Sequence, residues 1–143
     1  MEKVREQGVW NRVAAPPVGR QSREELRILL LGASGLLGLL RMLSGKMPKA
    51  REKLRQMQDW EQANTASLKG MLVFSGQEVN IPTGSPSPAP IKQSLIRVYY
   101  LAKKAAAEYT ARSVDPEFGV VYQEMAGREM KICNGVVQLM GEL

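Results

Sequence analysis

Glu61 and Glu129 are the residues in this chain best placed to do chemistry. Each interrupts an apolar series at helical spacing. One series runs Ala50, Leu54, Met57, Glu61, Asn64, Leu68, Met71, and the other Phe118, Tyr122, Met125, Glu129, Ile132, Val136, Met140. Each glutamate also follows a methionine by four residues, Met57 and Met125, which points to a duplicated helical hairpin. A bare carboxylate is costly at a core position. Such a pair can share one proton, or accept hydrogen bonds from Asn64, Tyr99 or Tyr100. Alternatively, its oxygens can hold a hard cation such as Ca²⁺ or Mn²⁺.

The rest of the inventory narrows the chemistry. The chain has 143 residues, a net charge of +6, one cysteine and no histidine. Without histidine there is no usual general base, no Ser-His or Cys-His nucleophile pair, and none of the commonest metal ligand. Cys133 cannot form an internal disulfide, and beside the stripe position Ile132 it reads as a small core residue. GASGLLG, residues 32–38, has the look of a dinucleotide-binding turn. That fingerprint needs a strand before it and a second strand with an acid about 20 residues on. Here charges at helical spacing follow instead, so the glycines are expected to permit close helix approach. Lys46, Lys49, Arg51, Lys53 and Arg55 cluster around one turn with acids interleaved and no aromatic ladder. This is the pattern of a solvated helix face, with no specific nucleic-acid partner expected.

The elements that must position these residues follow from caps, breaks and stripes. Residues 1–21 are polar and basic and read as a flexible arm. A single all-α domain over 22–143 is predicted, with helices at about 22–44, 48–74, 90–112 and 115–141 and a Pro-rich crossover over 75–90. Ser22 with Glu25 has capping-box spacing. Pro48 suits the first turn of the second helix, and Asp115-Pro116 opens the fourth. Leu26, Leu30, Ala33, Leu37 and Leu40 stripe the first helix, and Ile91, Leu95, Val98, Ala102, Ala105 and Tyr109 the third. Two short turns and one long connection predict an antiparallel four-helix bundle, two helical hairpins joined by the crossover, which is the ferritin-like arrangement. The apolar run from Ile28 to Leu40 is 13 residues long before Arg41. A membrane span needs about 20, so a core helix, a cytoplasmic location and no membrane partner are expected.

YQEMAGREMKI, residues 122–132, resembles the ligand-bearing helix of the rubrerythrin branch of the ferritin-like superfamily. LRQMQDWEQAN, residues 54–64, resembles a second copy. LKGMLVFSGQ, the Pro-rich crossover and DPEFGVVYQEMA extend the likeness over 22–143. The resemblance implies two irons held by two Glu-x-x-His pairs and a glutamate from each of the first and third helices. Glu61 and Glu129 match the motif glutamates. Asn64 and Ile132 stand at the two histidine positions. The first helix has acids only at Glu24 and Glu25, and the third only at Glu108; Ala33 or Leu37 and Val98 or Ala102 occupy the ligand level. The expectation is therefore a rubrerythrin-like bundle with a degenerate di-iron site: no catalytic residues, no cofactor, and vestigial ligand positions Glu61, Asn64, Glu129 and Ile132. Its role is expected to be structural or interactive, and a homo-oligomer such as a dimer is its expected state. Two alternatives stay open. One is a residual metal-binding oxidoreductase or storage protein using Glu61 and Glu129; the other, more remote, is a nucleotide-binding protein using GASGLLG.

Overall fold

The computed structural model describes residues 20–77, 79, 86 and 89–143, with the backbone alone for 20–22. Most of the expected arm over 1–21 and the interior of the expected crossover lie outside the described residues. Among these residues four α-helices form: α1 (Arg20–Lys46), α2 (Arg51–Phe74), α3 (Ile91–Ala111) and α4 (Gly119–Gly141). No strand occurs among the described residues.

The stripes become the core. Leu26, Leu30, Ala33, Leu37 and Leu40 of α1 are all buried, as are Leu95, Val98, Ala102 and Tyr109 of α3. Burying a leucine side chain contributes roughly 1.5–3 kcal/mol, so apolar periodicity outweighs the weak helix propensity of the glycines within α1. The helices pack pairwise around a square: α1 against α2 and α3, and α4 against α2 and α3. The apolar interior falls into two clusters. One joins the first half of α1 (Leu26–Ala33) to the end of α2 (Leu68–Leu72), Tyr109 near the end of α3, and the start of α4 (Tyr122–Ala126). The other joins Leu36–Leu43, Leu54 and Met57, Leu95–Ala102, and Ile132–Leu139. Between the two lies the level of Glu61, Asn64 and Glu129.

Polar ties close both ends. Arg112 pairs with Glu25 at 3.3 Å. Arg27 donates to Gln77 Oε1 at 2.7 Å, and Lys46 donates to the Ala89 carbonyl at 3.3 Å. Lys53 donates to Gln138 Oε1 at 2.6 Å.

The helix ends differ from expectation in three places. α1 begins at Arg20, before Ser22, so Ser22 lies inside the helix and does not cap it. Pro48 opens a separate 3-10 turn, Pro48–Ala50, and α2 starts after it at Arg51. α4 starts at Gly119, later than 115, because Asp115 folds the chain before the helix. The Asp115 carboxylate accepts from the backbone N–H of Glu117 at 2.7 Å and of Phe118 at 2.8 Å. Gly119 sits so close to the Ser113 carbonyl that an added Cβ would collide with it.

The expected role of the GASGLLG glycines is also corrected. A Cβ at Gly32 or Gly35 would meet nothing within 4 Å, and one at Gly38 would meet only Pro86 at 3.8 Å. The close helix approach occurs elsewhere. At Gly135 of α4 a Cβ would lie 2.9 Å from Met57 Sδ of α2. α1 is long and apolar enough to cross a membrane by length and composition, and half of that stretch is buried inside the bundle.

Candidate functional site: a buried carboxyl pair

α2 and α4 pack side by side and bring Glu61 and Glu129 to the same level, both with no exposed surface. Asn64, one turn along α2, is equally buried and bridges outward. Its Nδ2 donates to Glu129 Oε2 at 2.8 Å and to the Met125 carbonyl at 3.1 Å. Its Oδ1 accepts from Arg128 Nη1 at 3.0 Å. Arg128 also lies 4.0 Å from Glu124, one helical turn back and toward solvent. A polar chain thus runs from a half-buried guanidinium through an amide to a carboxylate.

Glu61 meets Glu129 at the inner end of this chain. Burial pushes the Glu61 carboxyl well above the usual carboxylic range, and the hydrogen bond to Glu129 and its negative charge push it further. Burial raises Glu129 as well, but hydrogen bonds from Glu61 and Asn64 oppose the rise. Both carboxyls are thus held toward the protonated form, and one proton shared between them would satisfy the pair. With both groups ionised, Glu61 Oε1, Glu61 Oε2 and Glu129 Oε1 have no hydrogen-bonding partner, whereas a proton on either carboxyl lets the pair bond to itself. The Arg128 charge, relayed through Asn64, compensates the single negative charge that remains.

Of the donors expected for the pair, Asn64 is in place. Tyr99 and Tyr100 are not: Tyr99 packs edge-on against Tyr100, which is 64% exposed. The tyrosine that senses the pair is Tyr109 of α3, whose phenol is raised by burial first and by the charges of Glu129 and Glu61 next. Sequence reasoning placed Tyr109 on the apolar stripe without connecting it to the glutamates, and missed Arg128 altogether. The signal for Arg128 was its position directly before Glu129, on the edge of α4 that turns toward α2.

Ile132, at the second histidine position, is fully buried within an apolar cluster and contributes no donor atom. Among the described residues, no group of three His, Cys, Asp or Glu side chains converges to hold a metal ion. Glu24 and Glu25 lie near the start of α1, where Glu25 is committed to Arg112. A di-iron cofactor therefore does not fit this donor set, since two carboxyls and one already saturated amide cannot enclose two cations. Cys133 is buried, and its thiol reaches the Tyr99 carbonyl at 3.7 Å. Burial and the Glu129 charge push this thiol upward, which favours its protonated form. GASGLLG is continuous helix within α1, without the strand and turn that a phosphate-binding loop requires.

Comparison with protein-family models, with curated proteins and with solved structures found no match to this chain.

Proposed function

We infer that the chain is a rubrerythrin-like member of the ferritin-like superfamily that has exchanged its metal centre for a hydrogen-bonded clasp. On this reading it serves a non-catalytic structural or interaction role in the cytoplasm, as a dimer or similar homo-oligomer. Several features support this architecture. The start of α1 shares a cluster with the ends of α2 and α3 and the start of α4. That is the order expected of two antiparallel hairpins with a long crossover between α2 and α3. The observation that carries the functional reading is Asn64. At a position where the resemblance implies a histidine ligand, its amide is spent on Arg128, Glu129 and Met125.

A second reading rests on the three carboxyl oxygens left to each other, Glu61 Oε1 and Oε2 and Glu129 Oε1. A single hard cation could displace the shared proton and take these oxygens. One set of measurements separates the two. Protein prepared under reducing, iron-replete conditions is analysed for metal, and its melting is followed with Mn²⁺, Fe²⁺ or Ca²⁺, with Glu129→Gln as control. The clasp predicts no bound iron and unchanged melting. A rise in melting temperature that disappears in Glu129→Gln establishes the cation site. Two irons per chain with hydrogen-peroxide reduction would overturn the proposal.

A further inference from the structure

The outward side of α3 and the adjoining edge of α4 carry a pattern that the bundle does not use. Between Ile91 and Ala107, α3 has four charged residues, Lys92, Arg97, Lys103 and Lys104, and all are basic. Along the part of α4 from Met130 to Gly141 the single charged residue is Lys131. Among the described residues none of the five forms an ion pair. Lys103 lies 5.7 Å over the Tyr99 ring and Lys131 5.6 Å over Trp60. Both contacts leave the charge intact.

Large apolar side chains surface between these cations. Ile96 is 37% exposed and Tyr100 64%, on the side of α3 opposite the buried Leu95, Val98 and Ala102. On α4, Met130 is 47% exposed and Val137 56%. They flank Cys133, whose thiol reaches the Tyr99 carbonyl, so both emerge toward α3. The result is an apolar strip along the α3–α4 seam bordered by the basic residues of α3, with Lys131 on the α2 side of α4 over Trp60 and the acid Glu108 one turn beyond Lys104.

The charge decides what covers it. A second copy laid on this face would set like charges against each other. Nucleic acid would suit the cations, but of the strip's side chains only Tyr100 offers a ring for a base to stack on, and the aliphatic Ile96, Met130 and Val137 beside it do not. An anionic bilayer suits both features: aliphatic and tyrosine side chains settle at the boundary of headgroups and acyl chains, while long basic stems reach the phosphates. We propose that the α3–α4 face docks peripherally on anionic phospholipid membranes through Ile96, Tyr100, Met130 and Val137, with Lys92, Arg97, Lys103 and Lys104 among the headgroups. α1 keeps its buried leucines in the bundle throughout, so none of the described helices crosses the bilayer.

Co-sedimentation of the full chain with vesicles tests this. Binding is expected to vesicles containing phosphatidylserine, not to pure phosphatidylcholine, and high salt should release it. Lys103→Glu with Lys104→Glu should weaken partitioning about tenfold or more. Ile96→Ser with Val137→Ser should weaken it roughly threefold to tenfold. These positions are exposed, and far-ultraviolet circular dichroism checks that helix content is kept. Lys49→Glu with Arg55→Glu, away from the strip, should retain most of the binding. An equal loss in that control, or no loss in the serine variant, means diffuse charge and overturns the docking face. So does absence of vesicle binding, whether or not the chain binds a single-stranded oligonucleotide. Release by detergent alone would mean insertion and would also overturn it.

Discussion

Glu61 is the residue where solution pH enters the stability of this protein. In the unfolded chain it gives up its proton near 4.5, whereas in the fold burial and Glu129 hold that proton to higher pH. The folded state therefore binds an extra proton. Its contribution is fully present below the unfolded value and is lost as pH rises through the folded one. The slope reaches about 1.4 kcal/mol per pH unit for each whole proton. Melting temperature is thus expected to fall as pH is raised from 5 toward 8. Glu61→Gln presents a neutral amide of the same shape that can still donate to Glu129. It should flatten that dependence and melt above the parent at the upper end of the range, as thermal denaturation across a pH series would read. An unchanged slope would mean that the proton resides elsewhere.

At the level of single helices, glycines that look alike in sequence do opposite things. Gly32 and Gly35 lie mid-helix in α1 with empty space where a Cβ would stand, whereas Gly135 of α4 lies against Met57. Replacing Gly32 or Gly35 by alanine should stabilise the protein by roughly 0.5–1 kcal/mol each, through helix propensity alone. Gly135→Leu should instead cost about 1–3 kcal/mol by forcing α2 and α4 apart. Chemical denaturation of the three variants checks both signs. This contrast marks where sequence reasoning stops. The stripes through Leu30, Leu54, Val98 and Val136 placed the helices and their inward faces because burial enforces a period of 3.6 residues. The level shared by Glu61 and Glu129 was legible for the same reason. Asn64 as a donor to the pair was legible too, but its link onward to Arg128 and the Met57–Gly135 contact were not, since each depends on how two helices are rotated and slid against one another. Local periodicity does not encode that. The Asp115 turn was half legible: its cap chemistry was visible, but the three residues it spends before α4 were not.

For the molecule as a whole, the polar layer is a divider. Among the described residues, Glu61, Asn64 and Glu129 separate an apolar cluster of thirteen buried residues from another of eleven, so the bundle has two cores where an apolar middle would give one. Buried polar groups of this kind commonly cost stability relative to well-packed apolar residues, yet removing one partner leaves the others stranded. The two effects have opposite signs and can be read on one protein. Glu129→Leu alone leaves Glu61 without its acceptor and Asn64 with an unused donor, and should destabilise by about 3 kcal/mol or more. Replacing Glu61, Asn64 and Glu129 together by leucine or methionine should be neutral or stabilising by roughly 1–4 kcal/mol. It should also abolish the pH dependence of melting. Stability of the triple variant below that of Glu129→Leu would mean that the layer fixes the helix register. Stability above the parent would mean that these side chains are kept for something other than holding the bundle together.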